Sequence, residues 1–386
     1  MNTLNSLRLI LTAGFAMFSM FFGSGNLVYP MITGTEAAGQ TFWSIAGFVV
    51  TAVLLPFLGL LAMILYRGDY HVFLGRLGRP VAFILIFMML ALMGPFGVMP
   101  RCITVAYGGI AMMNNQISST LFSLIFCVIT AALIWQRNKI VDIIALFLTP
   151  FKFGSIILLI IFGLLSATSF IGEPSLTPSE AFSFGLNEGY QTMDLMAAFF
   201  FACTIYEYLR MRLQALSPVV NEKQLFRLSL FSSLLGGGLL SVVYVGFIAL
   251  GSNYSILLSN IDPEFMLAAI AKTALGDYGM PLVSLTLAVS CLATATVLAT
   301  LFVDFLQEDI CRSKLSRPWS ITISMAITFF VSLFGFQTIR EILGSILTWI
   351  YPFLVAYTLW SIFAYYLDSR NNKGTKSVSK TNRIAA

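Results

Sequence analysis

Along most of the chain, polar residues are confined to short punctuation between runs of about twenty apolar positions. Each run is long enough to cross a ~30 Å hydrocarbon layer as a helix. Read this way, the sequence predicts ten spans, at 9–33, 41–65, 81–113, 119–135, 140–167, 187–209, 224–250, 280–305, 318–336 and 338–367. The third and tenth exceed the bilayer thickness and must tilt or run on beyond it. Two connecting stretches mix apolar and polar positions in the manner of short helices lying along an interface. They are "RGDYHVFLGRLGRP" between spans 2 and 3, and "GSNYSILLSNIDPEFMLAAIAKTALGDYG" between spans 7 and 8. Both hold the same ordinal place in a set of five spans. Five is odd, so two like halves are inverted relative to one another, with the site between them at midplane. The pattern therefore predicts an all-α integral membrane protein. Its repeats are 1–167 and 187–367, followed by a basic tail at 368–386.

Charge gives this layout a direction. Arg8, Arg67, Arg76, Arg79, Arg137, Lys139, Arg210, Arg212, Lys223, Arg227, Arg312, Lys314 and Arg317 all fall on one side, with the tail. The other side receives only Lys272 and Arg340, while holding Glu36, Glu173, Glu180, Glu188, Asp262, Glu264, Asp277 and Glu341. The positive-inside rule puts both termini in the cytoplasm of a plasma (inner) membrane, which an even number of spans permits. The net charge of +5 is thus a matter of topology, and no nucleic-acid partner is expected.

Composition narrows the function classes. The 386 residues are 58% hydrophobic and 10% charged, where a soluble protein carries roughly 25% charge. No small-residue cleavage site precedes the polar break of the first span, so no cleavable signal is expected. The cysteines (Cys102, Cys127, Cys203, Cys291 and Cys311) lack CxxC spacing and read as small apolar residues rather than disulfides or metal ligands. A single histidine, His71, falls in a loop. No His/Asp/Glu cluster with catalytic or metal spacing occurs in the spans, which argues against an enzyme, and no cofactor is implied. A repeated polar face of the kind that lines a channel is also missing.

The first span contains "FFGSGNLVYP", residues 21–30, where Gly23-Ser24-Gly25-Asn26 interrupt an apolar run. Each glycine costs about 1 kcal/mol in a helix relative to alanine. On a continuous helix Gly23 and Gly25 point roughly 200° apart, which does not suit one small-xxx-small packing face. A flexible helix with incidental glycines is the bland reading. The functional one is a local unwinding. It leaves free N–H groups at the start of an outer half-helix and free carbonyls at the end of an inner one. The former suit a carboxylate and the latter a cation, so an amino acid plus Na⁺ supplies the missing partners.

Other polar residues lie at membrane depth. Arg101, in span 3, is a candidate for an outer gate or substrate path, or for a structural pair with Asp194 early in span 6. Lys152 is mid-membrane if its helix is counted from Ile140, and snorkels at the inner face if counted from Phe151; snorkelling is favoured. Were it central, its ammonium would replace the sodium ion. Phe199, Phe200 and Phe201 either line an apolar side-chain pocket or simply pack, and Tyr107 shares that ambiguity.

These stretches also carry a resemblance. "FFGSGNLVYP" followed by "GTEAAGQ", then "GPFGVMPR" (94–101), "GYQTMDLMAA" (189–198), "SCLATATVLA" (290–299) and "IYPFLVAY" (350–357), resembles the branched-chain amino acid:cation symporters, the BrnQ-type carriers, in the same order. That family is similar in fold to the LeuT-type sodium symporters, which implies two inverted five-helix repeats with helices 1 and 6 discontinuous. Members usually carry about twelve spans, whereas ten are read here. In span 6, where relatives tend to have a glycine, this chain reads Phe199-Phe200-Phe201-Ala202-Cys203.

The resemblance implies a site. The N–H groups of Ser24 and Gly25, beside Gly23, would hold the substrate carboxylate, with the Asn26 side chain next to the carboxylate or to a cation. Phe200 and Tyr107 are the candidate contacts for the rest of the substrate. The carbonyls of Ser19 and Phe22 would face the cation, opposite Cys291 and Thr294, which are i, i+3 and share a helical face. The alternative for Thr294 is a bond to its own i−4 carbonyl. The implied function is an importer of leucine, isoleucine and valine, coupled to a cation (Na⁺ first) by alternating access. A proton-coupled or uncoupled permease is the alternative. Its partners are the amino acid, the cation and the lipid bilayer.

Overall fold

The computed structural model describes residues 3–113, 116–135, 149–167, 172, 175–216 and 220–384, and these contain helices and no strand. Residues 140–148 of the expected fifth span, together with Arg137, Lys139 and Glu173, lie outside the described residues. Much of the surface is apolar: Trp349 is 84% exposed, Leu165 78% and Phe42 73%. Side chains of this kind belong against lipid, because water would drive such a surface to associate.

The first span is a bent pair. Helix α1 (Thr3–Phe21) and α2 (Ser24–Glu36) meet at 67°. Gly23 between them is extended, at φ −121° and ψ −157°. Helix α3 (Thr41–Leu65) follows, with one π turn at Val50–Leu54. The first interfacial stretch forms α4 (Tyr70–Gly75), whose N-terminus is capped by the Asp69 carboxylate accepting from the N–H groups of His71 and Val72.

The third span is not one rod. It comprises α5 (Arg79–Met93) and α6 (Val98–Ala111), separated by a turn at 94–97. Pro95 has no N–H to continue a helix. A Cβ at Gly97 would fall 2.1 Å from the Leu92 carbonyl oxygen, so only glycine fits the turn. The motif "GPFGVMPR" is thus a break that the apolar pattern concealed.

Helices α7 (Ser119–Trp135) and α8 (Thr149–Ser166) precede a second bent region. The sixth span, expected at 187–209, begins earlier, as α9 (Pro178–Gln191), and resumes as α10 (Asp194–Leu216). Between them Met193 adopts φ 62°. The Phe199–Cys203 stretch is continuous helix within α10, so the interruption lies several residues before it. Helix α9 starts on a capping box, in which Glu180 Oε2 accepts from the Thr177 N–H and hydroxyl, both at 2.8 Å. Those bonds hold the exposed Glu180 carboxyl below the ordinary range.

The remainder is α11 (Glu222–Asn253), α12 (Ser255–Leu258), α13 (Met266–Phe305, turning at Gly276), α14 (Arg317–Ser332) and α15 (Gly335–Ile384). Residues 368–384 of the expected tail thus continue the last helix. Six helical stretches among the described residues, α5 and α6 counted as one, are long and apolar enough to span a membrane, and the α1–α2 pair makes a seventh. The other expected spans correspond to α7, α9–α10 and α14, which are shorter or more polar.

Glycines set the closest approaches between helices. A Cβ at Gly236 of α11 would meet the Gly14 carbonyl oxygen of α1 at 3.0 Å. A Cβ at Gly47 of α3 would overlap the Phe182 carbonyl oxygen of α9, and one at Gly185 the Ser44 carbonyl oxygen, at 2.0 and 2.2 Å. Small residues at crossings let backbones touch, which is how helices associate where lipid supplies no hydrophobic drive. The same device packs α1 on α11 and α9 on α3, and so fixes the two breaks between them.

Candidate functional site

At the first break, the N–H of Phe22 still bonds the Phe18 carbonyl, and the N–H of Gly23 reaches both the Phe21 carbonyl and, at 3.2 Å, Asn26 Oδ1. Helical pairing within α2 resumes with Leu27 N–H on the Gly23 carbonyl. The N–H groups of Ser24, Gly25 and Asn26 are therefore the first-turn donors that a helix leaves without an internal partner. The glycines have a packing reason as well. A Cβ at Gly23 would meet Thr294 Cγ2 at 2.8 Å, and one at Gly25 would lie 3.3 Å from Thr192 Cα at the second break. The two interruptions are in contact.

The carbonyl end of α1 is occupied. Lys152 is fully buried and its Nζ donates to the Ser19 carbonyl at 2.8 Å and the Phe22 carbonyl at 3.4 Å. Its ammonium also lies over the rings of Phe18 and Phe22, at 5.8 and 5.6 Å. One turn earlier on α8, the Thr149 hydroxyl donates to the Phe15 carbonyl at 3.2 Å. The expectation that Lys152 snorkels to the inner face is thus corrected: α8 lays one face along α1, and the ammonium ends on orphan carbonyls at a negative helix terminus.

Thr294 joins the same end of α1. Its hydroxyl donates to the Met20 carbonyl at 3.1 Å, neither to its own i−4 carbonyl nor to Ser19 or Phe22. Cys291 is buried beside it, neighbouring Cys102 of α6, whose thiol donates to Ser24 Oγ at 3.5 Å. Ser19, Phe22, Cys291 and Thr294 are therefore brought together, with Lys152 among them. The two carbonyls meant for a metal cation hold an ammonium, so Na⁺ does not fit there while Lys152 stays in place.

The second break carries a buried acid. Asp194, 2% exposed, opens α10 and accepts from Asn26 Nδ2 at 2.9 and 3.0 Å and from the Tyr244 hydroxyl. Asn26 Nδ2 also contacts the Tyr244 oxygen. Asn26 thus ties both breaks, its Oδ1 on Gly23 and its amide nitrogen on Asp194. The suggested Arg101–Asp194 pair is not formed. Arg101, with no exposed surface, directs its guanidinium to the Tyr29 hydroxyl, the Gln191 carbonyl (3.3 Å) and the Met193 sulfur (3.0 Å). A hydroxyl, a carbonyl and a thioether are closer to it than the aspartate is. One layer further along α2, Arg340 pairs with Glu188 at 2.7 Å and lies over the Tyr29 ring at 5.9 Å.

Two substrate candidates sit elsewhere. Tyr107 donates to the Ile117 carbonyl at 3.1 Å and packs on Phe122, at the far end of α6 from the break. Phe200 is buried against Tyr70 of α4, centroids 5.1 Å apart. Adjacent positions on a helix face about 100° apart, and it is Phe201 that meets Phe21 beside the break, edge to face at 5.1 Å. Sequence reasoning named Phe201 only together with its neighbours, as pocket or packing, and missed Tyr244 and Tyr29. A lone hydroxyl within an otherwise apolar span, as at Tyr244, is the signal that was available for one of them.

With this geometry established, comparisons with known proteins converge. The family model described as "Branched-chain amino acid transport protein" matches residues 6–385. The chain is 29% identical over 364 residues to the branched-chain amino acid permease BrnQ of Corynebacterium glutamicum, covering 92% of this chain and 81% of that protein. Among solved structures it resembles closed Mhp1, a nucleobase-cation-symport-1 family transporter with bromovinylhydantoin bound. The TM-score is 0.64 at 14% identity, over 88% of this chain and 74% of that one. It also resembles MhsT in complex with L-phenylalanine, at TM-score 0.61 and 14% identity, over 89% and 87% of the two chains. At such identities the structural likeness speaks for the fold.

Proposed function

The chain belongs to the branched-chain amino acid transport protein family, a family of membrane transporters, and from that premise we propose that it imports leucine, isoleucine and valine by alternating access at its paired helix breaks. The substrate carboxylate is received by the N–H groups of Ser24, which now faces the Cys102 sulfur, and Gly25, at the positive end of α2. Its apolar side chain lies towards Phe21 and Phe201. Such a pocket separates one methylene by only about 1–3 kcal/mol, so overlapping specificity for the three amino acids is the physical expectation.

The reading extends to architecture. The first repeat is 1–167 and the second 187–367, widened to begin at α9. Its support is a symmetry of packing: α1 lies on α11 as α9 lies on α3, each through glycine contacts. Ten spans with both ends in the cytoplasm follow. Arg340–Glu188 and Arg101–Tyr29 then form successive layers of an outer seal.

For coupling, one observation favours the proton-linked or uncoupled reading over Na⁺. It is the Lys152 ammonium on the Ser19 and Phe22 carbonyls. A fixed cation there fastens α1 to α8 and makes a metal ion redundant. Loss of its proton would release the end of α1, and an inner half-helix that swings free is what inward opening requires. The test is competition for radiolabelled leucine uptake in vesicles. Isoleucine and valine should compete at similar concentrations, whereas failure of all three to be carried would refute the reading.

A further inference from the structure

We propose that Asp194 is the counter-ion for the substrate's α-ammonium group, so that the two breaks together read an amino acid as a zwitterion. The proposal rests on the amino-acid reading above and adds a recognition element to it. Asp194 is buried, yet its oxygens face only neutral groups, the Asn26 amide and the Tyr244 and Thr192 hydroxyls. Among the described residues no lysine, arginine or histidine pairs with it. Arg101, the cation nearest in the sequence reading, is turned to Tyr29, Gln191 and Met193. A buried carboxylate lacking a cation is costly in a membrane and points to a positive group that arrives with a ligand.

The available valences agree. An ionised carboxylate offers about four acceptor directions; a single amide nitrogen serves both oxygens, Tyr244 adds to one, and the neighbouring Thr192 hydroxyl gives its proton to the Gly189 carbonyl at 2.8 Å. Room to accept remains. The Tyr351 hydroxyl, fully buried near Asp194, faces the Leu195 N–H and bonds no side chain. It too is open to an incoming N–H donor.

Position and chemistry select the ammonium. Asn26 is bonded to Asp194 and belongs to the same helical turn as the Ser24 and Gly25 N–H groups. In an α-amino acid the carboxylate and ammonium are separated by one carbon, so a molecule anchored on those N–H groups brings its ammonium to Asp194. A metal cation suits the place poorly. It needs five or more oxygen ligands, whereas Asn26 turns its nitrogen here and keeps its oxygen on the Gly23 N–H.

The experiment measures binding of three probes to the purified protein: leucine, 4-methylpentanoate (leucine without its amine) and 3-methylbutylamine (leucine without its carboxylate). The wild type should prefer leucine over 4-methylpentanoate by at least about a hundredfold, because a site built around a polar group rejects the analogue that lacks it. Asp194→Asn keeps the shape and should lower leucine affinity by about a hundredfold. It should change 4-methylpentanoate affinity less than about threefold, since that probe never used the charge. Asp194→Glu should restore part of the preference. An equal fall for both acids would assign Asp194 a structural role and overturn the proposal. So would a wild type that binds leucine and 4-methylpentanoate alike, a comparison that needs no variant to fold. Absence of leucine binding in the wild type would instead overturn the transport reading, and this assignment with it.

Discussion

Lys152 illustrates how a charge becomes tolerable at membrane depth. Its ammonium satisfies two carbonyls that the break in α1 leaves open, and two aromatic faces complete its surroundings. Neither partner is comfortable without the other. Lys152→Met should therefore leave Ser19 and Phe22 carbonyls bare and cut leucine uptake at least about tenfold, read as initial rates at matched membrane expression. Thr294→Val, by contrast, removes a single hydrogen bond to Met20. It should lower stability by about 1 kcal/mol, seen as a modest fall in the thermal midpoint with leucine affinity nearly kept. The sequence showed that Lys152 stood near a decisive boundary but not on which side. That depended on how α8 leans on α1, a tertiary fact that no local pattern encodes.

Between elements, the two breaks differ in how plainly they are written. Gly23 and Gly25 announce the first. The second is made by Met193 at positive φ, a residue with no propensity for it, so the surrounding packing must impose it. The turn at 94–97 was hidden because it carries no charged residue and lies between two apolar runs, although Gly94-Pro95 is itself a turn signal. The glycines of the first break also serve contact, since Thr294 and Thr192 occupy the space where side chains would go. Replacing Gly23 and Gly25 together by alanine should abolish leucine binding while membrane insertion persists, as scored by titration of the purified variant. Unchanged affinity would dismiss the break as a site. Between α9 and α15 the Glu188–Arg340 pair is mostly buried. Removing one partner of such a pair is costly because the other charge is left alone. Glu188→Gln should thus lower the thermal midpoint clearly more than Glu180→Gln, whose carboxylate is exposed.

For the whole molecule, the apolar runs were enough to read the class, an all-helical membrane protein, and the one-sided lysines and arginines supply an orientation as a prediction. What they could not supply was which polar groups meet. Those meetings (Asn26 with Asp194, Lys152 with Ser19) join residues more than a hundred positions apart. Orientation has its own check: a cysteine at Glu180 should react with an impermeant reagent in intact cells, and one at Lys223 only after permeabilisation. The central claim is a branched-chain amino acid carrier whose cation place is held by Lys152. Its most direct test is radiolabelled leucine uptake into proteoliposomes under imposed ion gradients. Uptake should be indifferent to an inward Na⁺ gradient and should persist in Na⁺-free buffer, with an inward proton gradient either driving accumulation or leaving plain equilibration. Uptake that strictly requires Na⁺ would contradict the assignment of Lys152, and a protein that carries no leucine under any gradient would contradict the account as a whole.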